Sequence, residues 1–589
     1  MTPPETKVCQ NCKASFIVDA EDFDFYKKIN VPPPTFCPEC RMQRRFAFRN
    51  ERTIYRRKRD PDGKFVISIY SEEKPFKVYS QERWWSDDWD PLEYRQEYDF
   101  SRSFFEQFKE LWRRVPVIAI HNKNGVNSEY CCHALDNKNC YLNSAIAFSE
   151  SVNYSNRVSY CKDSHDLYFC DHVEFGYNTI ISKNSYKISY NSLSENCSDS
   201  AFLYDCKNCS HCFGCVNLRN KSYHIFNKPY SKEEYQNKIK EFDLGSYHNV
   251  QRIKREFDVL RSQALHKYAN INFSNNVTGD NVSQSKNCRY CFDMYANIED
   301  SAFNVWAVYD LKDVYDGFGC GASSSLMYEA VDAGLNAERL KFAIIVWSSH
   351  NVEYSYNCHG CSYLFGCISL RNKQYCILNK QYTKEEYETL VPKIIQHMNE
   401  MPYVGNKGRI YGYGGFFPSE LSPFAYNETV AQEYFPLTKE AAIEKGFSWR
   451  EPEARHYEIT KKSNELPDHI KNIDDSILND VIGCEHKGEC NEQCTTAFKI
   501  IPQELQFYKK MNLSLPRFCP NCRHYERLKQ RNPLKLWHRK CMCDYKVYNN
   551  SVKHLHHAEG QCPNEFETSY APDRKEIVYC EQCYQAEVA

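Results

Sequence analysis

The sequence has no apolar run near the roughly eighteen residues a membrane helix needs. The stretch 342–347, FAIIVW, is among its longest. The opening MTPPETKVCQ lacks the apolar core of a secretory signal, so a cytoplasmic chain is expected. Neither charge is in excess: a formal net charge of −2 excludes a uniformly basic nucleic-acid coat and leaves only local segregation. The chain also lacks a P-loop, a dinucleotide fingerprint and a Ser-His-Asp pattern, so no reacting centre is identified.

What is abundant is cysteine, 31 residues, and tyrosine, 44. In a reducing compartment thiols serve metals or packing rather than disulfides. Cys9 and Cys12 form one C-x2-C pair, and Cys37 and Cys40 form another after a segment rich in Phe, Tyr and Ile. Two short-spaced thiol pairs on tight turns suit one tetrahedral zinc. The segment VCQNCKASFIVDAEDFDFYKKINVPPPTFCPECRMQRR resembles the bacterial probable zinc-ribbon modules, a family that implies a metal and no particular activity. Beyond Cys40 lies a basic run that includes Arg41, Arg44, Arg45, Arg49, Arg52, Arg56, Arg57, Lys58 and Arg59, with Phe46, Phe48 and Tyr55 interleaved. Arginines three and four apart share a helix face, which suits either phosphate backbone or a solvated face answering the acidic stretch that follows.

A shift of 482 lays this module on the other end of the chain. Cys12, Cys37 and Cys40 fall on Cys494, Cys519 and Cys522, and Arg41, Arg45 and Arg49 fall on Arg523, Arg527 and Arg531. Cys9 falls on Asn491, so Cys490 is taken as the fourth ligand of a second zinc, with Cys484 and His486 as competitors. A third zinc is expected on Cys541, Cys543, Cys580 and Cys583, with His554, His556, His557 and Cys562 as possible substitutes. In the N-terminal alignment Arg59, Pro61, Ser80 and Arg83 stand at those four positions while Tyr70, Val78 and Tyr79 persist. Loss of all four thiols together is what a metal site predicts, because a partial set binds poorly and the metal supplies much of the folding free energy.

Between the ends, residues 206–235 recur as 358–387 in the same register. Cys131 and Cys140, Cys161 and Cys170, Cys197, Cys206 and Cys215, and Cys358, Cys367 and Cys376 follow a recurrence of nine. Nine is odd, so each unit needs a bend, and short bent units in series indicate a β-solenoid. Asn before Cys at 139, 196, 208, 287 and 357 suits turns or side-chain ladders. Cys206, Cys209, Cys212 and Cys215 are spaced for a metal cluster, but Leu364 replaces Cys212 in the second copy, so apolar packing is the favoured role. Arg219 and Arg371, after each copy, suit a salt bridge or an anion. Asp313 and Asp316 are read as turn residues rather than as an acid pair acting on polysaccharide. Capping boxes are expected at Ser231/Glu234 and Thr383/Glu386, with helices over 100–114 and 251–268.

The fold class expected is α+β, mainly β: a duplicated Cys/Asn-rich β-solenoid between related, treble-clef-like zinc ribbons. The segments are 1–60 ribbon, 61–120 degenerate ribbon plus helix, 121–245 first copy, 246–270 connecting helix, 271–400 second copy, 401–475 linker and 476–589 tandem zinc module. As a whole the chain resembles large zinc-ribbon proteins of small-genome bacteria, a group that carries no assigned function. The role expected is a non-catalytic, three-zinc scaffold that binds nucleic acid, RNA before DNA, through Arg41, Arg44, Arg45, Arg49, Arg523, Arg527 and Arg531. The rivals are a protein-interaction scaffold and a β-helix enzyme on polysaccharide. No membrane partner is expected.

Overall fold

The computed structural model describes every residue except Met1, 59–61, 452–456, Asn549, Ala558 and Ala589. Arg59 and Pro61, aligned above with Cys541 and Cys543, therefore lie outside the described residues. The chain divides into two compact units, each made of two separated pieces: Met1–Ile120 with Ala269–Arg450, and His121–Tyr268 with Glu451–Ala589. The units group the expected segments across the chain. The N-terminal ribbon is built into one unit with the second central segment, and the C-terminal module into the other with the first.

Each unit is a mixture of α and β with one large, mostly parallel sheet. Eleven strands run from Asn122–Lys123 to Lys228–Pro229 in one, and ten from Ile271–Asn272 to Lys380–Gln381 in the other. Both sheets are open and end in a short antiparallel hairpin. Registers are regular: Cys132 pairs with Ser144, Ser144 with Asn156, and Asn156 with Tyr168, each step being twelve residues.

Within that step the unit is a triplet, not the expected nine. Val152, Ser155, Val158, Cys161, Ser164, Leu167, Cys170 and Val173 are all buried. The residue before each, from Ser151 through His172, has a left-handed backbone with φ between 44° and 60°. Two extended residues and one left-handed corner thus send every third side chain inward, and nine appeared because it is three triplets. In the second sheet Phe292 pairs with Val305 and Val305 with Phe318, thirteen residues apart. The extra residue is visible as a doubled left-handed corner at Ala296–Asn297, Tyr309–Asp310, Ala322–Ser323 and Leu335–Asn336.

Left-handed corners are uncommon for L-residues and least so for Asn and Asp. Here they also stack. The Asn127 amide donates to Asn139 at 3.0 Å, Asn196 to Asn208 at 3.0 Å and Asn208 to Asn220 at 2.9 Å. Asn276, Asn287 and Asp300 form a similar ladder at 3.1 and 2.9 Å, whereas Asn357 instead faces His359 at 2.9 Å. Aromatic corners do the same: the Phe148 and Tyr160 rings stack at 5.0 Å and those of Tyr160 and His172 at 4.7 Å.

Each ribbon presses an aromatic onto its unit's sheet. Phe25, on the helix Ala20–Lys28, stacks on Tyr315 at 3.8 Å. Phe507, on the helix Pro502–Met511, lies against His165 at 4.2 Å. The two capping boxes form as expected, and the predicted helices occupy Phe104–Arg114 and Tyr247–Gln263. Among the described residues no helix is long and apolar enough to cross a membrane.

Candidate metal centres

One local device appears three times. The strands Glu5–Val8 and Ser15–Val18 form a hairpin that ends at Cys9 and turns through Cys12. Cys37 then caps the helix Pro38–Phe46, with a proline fitted at its first position, and Cys40 sits in the first turn. The Cys37 N–H donates to Cys9 Sγ at 3.3 Å. In the C-terminal module the hairpin Ile482–Gly483 with Ala497–Phe498 is followed by Cys519 capping Pro520–Leu528. There the Cys519 N–H donates to Cys484 Sγ at 3.2 Å. The hairpin Trp537–Lys540 with Glu565–Thr568 is followed by Cys580 before Glu581–Val588, and the Cys580 N–H donates to Cys541 Sγ at 3.2 Å. Helix N-termini favour thiolates, so each device sets one pair of sulfurs where the helix end stabilises negative charge.

The matching N–H···S contacts identify the ligands. Cys9, Cys12, Cys37 and Cys40 converge as expected. The second set is Cys484, Cys494, Cys519 and Cys522. Cys490 is therefore corrected: its Sγ lies 3.8 Å from Cys522, but Cys484 makes the contact to the helix cap that Cys9 makes in the N-terminal ribbon. Sequence spacing concealed this because nine residues separate Cys484 from Cys494 where two separate Cys9 from Cys12. The apolar residues Val481 and Ile482, three and two positions ahead of Cys484 in a hairpin strand's sequence pattern, were the available signal. The third set is Cys541, Cys562, Cys580 and Cys583, so Cys543 is replaced by Cys562. Cys543 instead groups with His554, His557 and Cys583.

A tetrahedral ion at about 2.3 Å from each sulfur requires Sγ–Sγ edges of about 3.8 Å. Cys12 and Cys37 are 3.7 Å apart, Cys484 and Cys522 3.8 Å, Cys519 and Cys494 4.0 Å, and Cys562 and Cys580 3.9 Å. In each set one thiol is held far below its ordinary pKa by hydrogen bonds from the others. Cys37 and Cys40 do this to Cys9, Cys484, Cys494 and Cys522 to Cys519, and Cys541 and Cys583 to Cys580. All three sets are compatible with metal ions.

The N-terminal hairpin Tyr55–Lys58 with Phe65–Ser68 is followed, like its C-terminal counterpart, by a short helix, Gln81–Trp85. Ser80 caps it, its Oγ accepting from the Arg83 N–H at 3.4 Å. An ordinary helix cap thus occupies the place of Cys580, and Asp62 stands on the second strand's approach where Cys562 does in the C-terminal copy.

The middle cysteines point inward on successive triplets. Cys206, Cys209, Cys212 and Cys215 are buried, and each Sγ reaches the carbonyl two residues before it at 3.3 to 3.6 Å. Cys209 is also held low in pKa by hydrogen bonds from Cys197, Cys206 and Cys212, so this set too is compatible with an ion. Isolated members of the same lattice behave as packing thiols: burial raises Cys170 and Cys320 to about 12.

The arginines are placed quite differently from the expected phosphate-binding face. Arg41, Arg44, Arg45, Arg49, Arg523 and Arg527 are buried. Arg41 Nε lies 2.9 Å from Asp316 Oδ2, and Arg45 Nη1 lies 2.8 Å from Asp316 Oδ1 and 3.3 Å from Glu329. Arg44 pairs with Glu329 at 2.7 Å and Arg49 with Glu51 at 2.7 Å. In the other unit Arg523 pairs with Asp166 at 3.1 Å and Glu504 at 3.2 Å, Arg527 pairs with Asp166 at 2.7 Å, and half-buried Arg531 donates to the Tyr168 hydroxyl at 2.6 Å. These side chains dock each ribbon on its sheet, and the reading of them as nucleic-acid contacts is corrected accordingly. Asp316, read as a turn residue, has the corner backbone and is also the buried counter-ion. Asp166 and Glu329, and the counter-ion role of Asp316, are what the sequence reading missed. Arg219 makes its salt bridge, to Asp205 at 2.9 Å, whereas Arg371 donates to the carbonyls of Ser86 and Trp89.

No protein-family model matches the chain, and no curated protein matches it.

Proposed function

We propose that the chain is a zinc-stabilised, non-catalytic scaffold for another protein, each unit being a short β-solenoid with a zinc ribbon docked on it. The solenoid reading is supported by parallel pairing with the residue twelve or thirteen later along most of both sheets, since four triplets make one turn of a four-cornered coil. The closely matching stretches 206–235 and 358–387, with the recurrent corner pattern, support an origin by duplication. Zinc is favoured because all-sulfur tetrads at helix caps select it, and because the N-terminal segment resembles zinc-ribbon modules. None of the 31 cysteines is paired in a disulfide, which suits a reducing compartment such as the cytoplasm.

The observation that carries the choice of partner is the burial of Arg45 against Asp316 and Glu329. Six of the seven arginines that made nucleic acid attractive, Arg41, Arg44, Arg45, Arg49, Arg523 and Arg527, are spent inside the protein, and Asp316, the residue that hinted at polysaccharide cleavage, is spent with them. The test is binding of purified chain to mixed RNA and DNA across a salt series, alongside its elution from the native source. A stoichiometric protein partner and no salt-sensitive nucleic-acid binding are expected. Affinity that falls steeply with salt would return the nucleic-acid reading, because counterion release is its signature.

A further inference from the structure

Beside the Cys541, Cys562, Cys580, Cys583 tetrad the C-terminal module holds a second ligand set. Cys543 Sγ lies 3.5 Å from His554 Nδ1 and 3.5 Å from His557 Nε2, and the two ring nitrogens are 3.2 Å apart. His557 Nε2 is 3.4 Å from Cys583 Sγ, and all four ligand atoms lie within 4.8 Å of one another. A tetrahedral ion bound by sulfur at about 2.3 Å and nitrogen at about 2.0 Å has S–N edges of about 3.5 Å and an N–N edge of about 3.3 Å. The observed edges match.

The groups behind these atoms orient them as ligands. His554 Nε2 is 2.8 Å from Glu587 Oε1, with both side chains buried. Glu587 is itself held by the Ser551 N–H at 2.8 Å and the Ser551 hydroxyl at 2.5 Å. A carboxylate on one ring nitrogen places the proton there and leaves the other, Nδ1, as a lone pair aimed at Cys543 and His557. This is the arrangement that commonly supports a metal-bound histidine. On the other side the Asn550 amide donates to Cys543 Sγ at 3.2 Å, and Asn550 is positioned by the Tyr579 hydroxyl at 3.0 Å.

We infer that the C-terminal module binds two metal ions, the second held by Cys543, His554, His557 and Cys583, with Cys583 Sγ bridging the pair. This rests on the zinc reading of the first tetrad. Binding of the second ion transfers the Cys543 thiol proton to solvent, Cys583 already serving the first ion as thiolate. His556 Nε2 stands 3.3 Å from Cys583 Sγ and 3.4 Å from Cys562 Sγ, an alternative donor to the first ion that does not alter the count.

The experiment is the metal content of the full chain, purified with zinc and freed of loosely bound ions. Relative to His554→Ala/His557→Ala, the wild type is expected to carry one more ion per chain, lost without effect on the others. Glu587→Gln, which keeps every ligand, is expected to weaken one ion about 10- to 100-fold in a chelator titration. After exchange with cadmium-113, that ion should give a resonance shifted by nitrogen ligation and coupled through sulfur to a neighbour. Equal metal content in wild type and double variant, with both folded, overturns the second ion and leaves the first tetrad intact. A wild-type chain that retains no zinc overturns both.

Discussion

Arg45 Nη1 lies 2.8 Å from Asp316 Oδ1, and neither side chain touches water. Arg527 repeats the pairing on Asp166 at 2.7 Å. Asp166 and Asp316 stand four residues before Cys170 and Cys320, at equivalent corners of the two sheets. The same ribbon helix is therefore anchored to the same sheet position in both units, through a left-handed corner whose carboxylate faces inward to the ribbon.

Removing one partner of such a pair strands a buried charge. Asp316→Ala leaves Arg41 and Arg45 short of their counter-ion, and a loss of about 3–5 kcal/mol is expected from urea unfolding. The pair of Lys28 with Asp313, at 2.7 Å, has its lysine half in solvent, so Asp313→Ala should cost no more than about 1 kcal/mol. Equal effects of the two substitutions would show that the ribbon is not held by the buried pair.

The assignment of the second tetrad separates two neighbouring thiols. Cys484→Ser is expected to lose one bound ion, because it removes the sulfur that accepts from the Cys519 N–H. Cys490→Ser should keep that ion, because Cys490 is only a neighbour of Cys522 at 3.8 Å. Metal content and the rate of transfer to a chelator read the difference. The opposite ranking would restore Cys490 as the ligand.

Corner residues make a prediction of a different kind. Asn208 has φ of 54°, accepts from Asn196 and donates to Asn220. Asn208→Ala loses both ladder bonds and the residue type that best tolerates the corner, so a cost of about 1–2 kcal/mol is expected in thermal or urea unfolding. Asn208→Gly restores the backbone freedom alone and should recover part of it. If glycine is worse than alanine, the corner strain is not what asparagine relieves.

The cysteines and the ladders were legible because both are written in local spacing. Cys9, Cys12, Cys37 and Cys40 could be paired from two-residue gaps, and Asn before Cys marked corners that do stack at 139, 196, 208 and 287. Cys484 was ranked too low because the hairpin turn before Cys494 is longer, and hairpin length does not alter where its ends meet the helix cap. The triplet was hidden because Ser, Asn, Gly and Val share the inward positions with Cys, so outside short runs such as Cys206 to Cys215 the thiols showed mostly larger multiples of three. The burial of the arginines was illegible for a physical reason. Arg41 and Arg45 lie 275 and 271 residues from the carboxylate they share, and a helix face looks equally basic whether it meets water or a buried aspartate.

His165 links this docking to acid. Burial lowers its pKa to about 3, the nearby Arg523 adding to the effect and Asp166 opposing it. Its folded-state pKa therefore lies below the ordinary value of 6.5. Between those limits the unfolded chain binds a proton that the folded chain refuses, so stability is fully present above pH 6.5 and declines as pH falls toward 3. Each pH unit in that window costs up to about 1.4 kcal/mol. Tyr315 faces Phe25 in the other unit as His165 faces Phe507 here, which makes His165→Tyr the natural comparison. Loss of metal in acid and the titration of His266, lowered to about 4 by burial, affect wild type and variant alike. The difference in unfolding free energy between them should therefore shift in favour of the variant as pH falls below 6.5, and parallel curves would place His165 in water.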